Sequence, residues 1–164
     1  MDLRKKLDHE NSIGLIVKTA EKSFERILDA ELRERCDLTS GQWKVIIVLS
    51  FQEGISQKEI ADLTFVEGST LVPILDKMEK QGFVSRKSDP NDRRNNKIFL
   101  TAKSKSAISE IVNCILDVRK IITEGVSEKD LEVSRKVLRQ MTKNANQFAE
   151  KKGKKVPLSL IKTN

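Results

Sequence analysis

The chain has 164 residues, 38% hydrophobic and 34% charged, which favours one domain, or one domain with an appended helical part, wrapped in an unusually charged surface. A net charge of +7 suits a polyanionic partner, nucleic acid or an acidic membrane surface, although six lysines between Lys143 and Asn164 place much of it in the tail. His9 is the only histidine, and Cys36 and Cys114 lie far apart in sequence, so neither a zinc site nor a Ser-His-Asp or Cys-His catalytic set is expected, and no cofactor is called for.

Along residues 9–35 the apolar positions Ile13, Ile16, Ala20, Phe24, Ile27 and Leu32 recur at helical spacing between charged residues, which predicts a long amphipathic helix. Leu38-Thr39-Ser40-Gly41-Gln42 interrupts it. Thr39 with Gln42 three residues on is a capping-box pattern, opening a second helix through Trp43, Ile46, Ile47 and Leu49 that is apolar enough all round to be buried. Gly54 ends that stretch. Ser56 with Glu59 makes another capping box for a short third helix from Gln57 to about Leu63. After a turn near Phe65 and Val66, a fourth helix is predicted from about Gly68 to Gln81, its core face Leu71, Ile74, Leu75 and Met78, with Gly82 placed to end it.

Two short β-prone pieces follow, Phe83–Lys87 and Asn96–Leu100, separated by the polar, turn-rich Ser88–Asn95. They predict a β-hairpin with a charged tip. Thr101 then caps a fifth helix carrying Ile108, Ile111, Ile115, Val118 and Ile122, a seam suited to helix-on-helix packing. Ser127 with Asp130 opens a sixth helix through Leu131, Leu138, Met141, Ala145 and Phe148, and a lysine-rich tail closes the chain. No run of about 18 apolar residues occurs, so the expectation is a soluble, cytoplasmic protein with reduced thiols.

The block from Ser56 to Thr101 therefore reads as helix, turn, helix, β-hairpin. Ala61 is small enough to let the first helix cross the second, and Ile60, Leu71 and Ile74 are spaced to fill the core between them. The second helix can then present Ser69, Thr70 and, two turns on, Lys77 to a major groove. Between Val84 and Thr101 five cations (Arg86, Lys87, Arg93, Arg94, Lys97) oppose Asp89 and Asp92. A protruding tip with paired arginines fits a narrow minor groove, where the potential selects arginine. Asp92 is placed to pair with Arg94 and orient it.

At these residues the sequence resembles the MarR family of regulators. Leu38-Thr39-Ser40-Gly41-Gln42-Trp43 is similar to the family's start of its second helix, and Ser56–Leu63 to its positioning helix. Leu75–Val84 resembles the exit of the recognition helix, and Asp89-Pro90-Asn91-Asp92-Arg93-Arg94 with Leu100-Thr101 resembles the wing. The resemblance implies a mainly α fold with a small β-hairpin wing. A winged helix-turn-helix (38–101) would sit in a helical dimerisation domain made of residues 1–37 and 102–150, followed by a basic tail over 151–164. It further implies a homodimer on a pseudo-palindromic double-stranded DNA operator, commonly a repressor released by a small-molecule effector.

The residues expected at DNA are Gln57, Gly68, Ser69, Thr70, Lys77, Arg86, Asp92, Arg93, Arg94 and Asn95. Those expected at the dimer interface are Ile13, Ile16, Ile108, Ile111, Ile115, Val118 and Ile122. Two departures from the family pattern stand out: Pro73 occupies a recognition-helix position where many members carry Arg or Thr, and Phe65 stands near the turn's usual glycine. Pro73 removes a helical N–H and is expected to bend the start of that helix. Two other readings remain open from sequence: a winged-helix protein–protein module without DNA binding, and a thiol-based redox sensor at Cys36, with Arg33 and Arg35 close by to favour thiolate.

Overall fold

The computed structural model describes residues 8–89, 95–154 and 156. After a short 3-10 turn at His9–Asn11, α1 runs over Ile13–Cys36, α2 over Ser40–Phe51, α3 over Gln57–Thr64 and α4 over Gly68–Lys80. The wing strands β2 (Val84–Ser88) and β3 (Asn96–Leu100) follow, then α5 (Ala102–Ile122) and α6 (Glu128–Lys151). The mainly helical architecture with a β-hairpin wing is as the sequence implies. One element was not expected: β1, Ile55–Ser56, lies between α2 and α3 and pairs antiparallel with β3, completing a sheet of order β1-β3-β2.

Local chemistry sets the boundaries. At the start of α2 the Thr39 backbone N–H and hydroxyl both donate to Gln42 Oε1, at 3.0 and 2.9 Å. At the start of α3 the Ser56 N–H donates to Glu59 Oε2 at 2.8 Å, while the Glu59 N–H donates to Ser56 Oγ at 3.2 Å, so donors otherwise left unpaired at a helix start are satisfied. α4 ends in a Schellman motif: Phe83 N–H reaches Met78 O at 2.8 Å and Gly82 N–H reaches Glu79 O at 3.0 Å, with Gly82 at φ +73°. α4 runs as one helix through Pro73.

A single core joins the winged unit to the long helices. Leu32 of α1, Val45, Ile46 and Leu49 of α2, Ile60 of α3, Leu71, Leu75 and Met78 of α4, the strand residues Ile55, Val84 and Ile98, and Ile111 and Cys114 of α5 are all buried in one cluster. Ala61 packs on that cluster half-buried, as its small size predicts. A closer approach occurs elsewhere: a Cβ on Gly41 would come within 2.4 Å of Ile74 Cδ1, so this glycine lets α2 lie against α4. Helix α6 contributes nothing to this core; none of its residues is buried.

The expected interface seam on α5 needs correction. Ile111 and Val118 are buried within the chain itself, with α5 packed on α1, so they offer no free surface to a second copy. Ile108, Ile115 and Ile122 are half-buried, and the large apolar residues that α5 exposes are Val112, Leu116 and Ile121. Ile13 and Ile16, at the start of α1, are exposed as the interface reading requires.

Candidate nucleic-acid interface

Helix α3, a tight turn and α4 form the helix-turn-helix. The turn is made by Phe65 in the left-handed region, φ 55°, where a side chain is disfavoured and glycine is common. Its ring is 76% exposed, so the strained backbone is not repaid by packing. Leu71, Leu75 and Met78 point α4 into the core. The opposite side exposes Gly68, Ser69, Thr70, Val72, Pro73, Asp76, Lys77 and Lys80 to solvent. Of the residues expected at DNA, Gly68, Ser69, Thr70 and Lys77 thus come together on one helix, and Gln57 is half-buried at the start of α3.

Several contacts fix α4 relative to its surroundings. Gln42, itself buried, donates from Nε2 to Gln81 Oε1 at 2.7 Å and ties the start of α2 to the end of α4. From α5, Thr101 Oγ1 donates to Gly82 O at 2.7 Å, Ser104 Oγ to Phe83 O, and Lys103 Nζ to Gln81 O at 3.0 Å. The carbonyls where α4 passes into the wing are thereby satisfied by the next helix.

Arg86 does not stand as expected. Its guanidinium on β2 reaches back to α4, 2.6 Å from Asp76 Oδ1 and 2.5 Å from Glu79 Oε2, and its backbone N–H donates to Glu79 Oε1 at 3.2 Å. An arginine held by two carboxylates is not free to neutralise a phosphate; it braces the wing against α4. Lys97 is 3.4 Å from Asp89, and Lys87 lies with its ammonium 4.8 Å from the centre of the Phe99 ring. Asn95 is exposed at the start of β3, where its carbonyl accepts from Asp89 N–H at 2.9 Å. Asp92, Arg93 and Arg94 lie outside the described residues.

Two further features bear on the rival readings. Cys36 and Cys114, distant in sequence, are brought near one another by the packing of α1 on α5. Burial pushes both thiols up from their ordinary value, and the Arg35 guanidinium expected to favour thiolate is taken by Glu110 at 2.6 Å and Asp117 at 3.1 Å. A groove of about 1600 Å³ opens between α1, α2, α5 and α6, lined by apolar residues that include Ile13, Ile16, Phe51, Ile115 and Val137. Trp43 both lines it and packs on the core, donating from Nε1 to Asp29 at 2.8 Å. Among the described residues no cluster of His, Cys, Asp and Glu could hold a metal ion, and no helix is long and apolar enough to cross a membrane.

Residues 38–95 match the MarR family, a span that begins at α2 and takes in the helix-turn-helix and most of the wing. The chain is 42% identical over 96 residues to the HTH-type transcriptional regulator TtmR of Methylorubrum extorquens (strain PA1), a match that covers 58% of this chain and 49% of TtmR. It therefore spans about half the length of that curated relative. Among solved structures, the transcriptional regulator SlyA is 26% identical with a TM-score of 0.74, covering 85% of this chain and 98% of that one. A mutant MarR from E. coli complexed with operator DNA is 20% identical with a TM-score of 0.73, covering 82% and 96%. Residues 38–95 thus resemble the MarR family in sequence through the helix-turn-helix and the first wing strand, and the chain as a whole shares the fold of SlyA.

Proposed function

We propose that this chain is a sequence-specific DNA-binding transcription regulator, a repressor by its resemblance, that works as a homodimer on a pseudo-palindromic operator. The observation that carries this reading is the outward face of α4: Ser69, Thr70 and Lys77 stand exposed on a helix braced by Arg86 against a β-hairpin. A helix so presented fits a major groove, with the hydroxyls and the ammonium offered to phosphates or base edges. The match of residues 38–95 to the MarR family, and the likeness to a transcriptional regulator, support a binding protein rather than an enzyme, acting in the cytoplasm where it meets chromosomal DNA.

The homodimer rests on apolar surface that one protomer leaves uncovered. Ile13 and Ile16 on α1, Leu116 and Ile121 on α5, and Val133, Val137 and Phe148 on α6 are all exposed around the groove or along the same helices. Exposed apolar surface on this scale is costly to leave in water and fits a second copy. Two copies would carry two α4 helices, which is what a palindromic site requires.

Fluorescence anisotropy on duplexes selected from genomic fragments tests the reading. The expectation is binding that prefers the selected sequence over a scrambled duplex and weakens steeply with salt. Arg94→Ala, chosen on sequence alone, removes a wing cation and should cost about 1–3 kcal/mol per half-site, on the order of a hundredfold for the dimer. Its melting temperature should match the parent's. Negligible duplex affinity at low salt would sink the reading in favour of a protein–protein module.

A further inference from the structure

The outward face of α4 has an unusual chemistry for reading bases. Guanine is commonly recognised by Arg or Lys donating to O6 and N7, and adenine by Asn or Gln on N6 and N7. From Gly68 to Asp76 the helix contains none of these residue types, and Lys77 is the first. With Leu71, Leu75 and Met78 in the core, a rotation of about 100° per residue puts Ser69, Pro73, Asp76 and Lys80 on the opposite meridian, with Val72 beside them. Val72 is 38% exposed and Pro73 is exposed as well.

The one acid on that meridian, Asp76, would repel a polyanion, but Arg86 holds its carboxylate at 2.6 Å. What remains towards a partner is an apolar patch of a branched side chain and a rigid ring, with the Ser69 and Thr70 hydroxyls on one side and the Lys77 and Lys80 ammonium groups on the other. On the major-groove edge of the four base pairs a single apolar group is available, the C5 methyl of thymine. Neither Val72 nor Pro73 belongs to the buried core of the protomer.

We propose that Val72 and Pro73 read thymine in each half-site through its C5 methyl group, so that this regulator selects its operator in part by apolar contact, on a stretch of helix that lacks the arginine, lysine, asparagine and glutamine commonly used to read purines. The inference rests on the DNA-binding reading above and deepens it. Pro73 suits the task because its ring has almost no rotamer freedom to lose on contact, and Val72 has little. Arg86 acts as a positioning residue, neutralising Asp76 so that the apolar patch can approach a charged duplex.

The test uses the full chain and duplexes it selects from a random-sequence pool. Each thymine in a selected half-site is replaced singly by deoxyuridine, which removes the methyl and leaves base pairing unchanged. The expected result is a loss of about fourfold for each methyl that is buried on binding, confined to one or two positions per half-site. In Val72→Ala and Pro73→Ala, both exposed sites where the fold is expected to persist, the same deoxyuridine replacements should change affinity by less than about twofold. Specific binding that is indifferent to every deoxyuridine overturns this inference and leaves the DNA-binding reading intact. So does a deoxyuridine loss of equal size in parent and both variants, because the methyl contact would then lie elsewhere. Selection that recovers no preferred sequence overturns the DNA-binding reading and this inference together.

Discussion

Glu25 on α1 accepts a hydrogen bond from Lys44 on α2 and another from Lys22 at 2.9 Å, which together hold its carboxyl at about 2, well below the usual carboxylate range. A group with a depressed folded-state value contributes stability above its unfolded value and loses it as pH falls through the folded one. The window here runs from about 4.5 down to about 2. Glu25→Gln should cost on the order of 1 kcal/mol near neutrality, between the values typical of exposed and buried charged pairs. Its melting temperature should then converge on the parent's as pH falls across that window; melting curves that stay parallel would contradict the assignment. The cysteines make the opposite case. Because burial raises both thiols, little thiolate is present at neutral pH, and reactivity with peroxide follows thiolate. Cys36→Ser and the parent should hold DNA equally before and after peroxide, and release of the parent alone would install the redox reading in place of ours.

Between α2 and β1, Gly54 sits at φ +72° with two Phe99 ring carbons 3.1 Å from where a Cβ would stand. Its N–H donates to Ile98 O at 2.9 Å, which starts the pairing of β1 with β3. Gly54→Ala should therefore lose about 1–2 kcal/mol and lower the thermal midpoint by a few degrees; an unchanged midpoint would show that the strand tolerates the strain. The same strand marks where sequence reading stops. Helices α1 to α6 were legible because apolar residues recur at helical spacing and side-chain caps announce their starts at Thr39, Ser56, Thr101 and Ser127. β1 has two residues and cannot show alternation; Gly54 before Ile55 was its only signal. Spacing likewise found the α5 stripe but not its partner, and Ile111 and Val118 are covered by the chain's own α1. For Arg86 the sequence supplies a cation in a wing, whereas its acids lie one helix earlier at Asp76 and Glu79, a pairing set by how α4 meets β2.

At the scale of the whole chain, one core spans both the winged unit and α5, so the helix-turn-helix and the long helices are mechanically joined within a protomer. What lies outside that core is the first half of α1 and all of α6. Sedimentation equilibrium at low micromolar concentration should give about twice 18.6 kDa, and a clean monomer there would remove the palindromic operator along with the dimer. Helix α6 carries a sharper consequence. A 24-residue helix that buries no residue against its own protomer has little to hold it folded beyond its internal hydrogen bonds and caps. Its amide protons should exchange with deuterium at a rate that falls as protein concentration rises, while those of α2, shut inside the core, keep the same rate at every dilution. The helix would then serve as a built-in gauge of assembly, read without a label and without DNA.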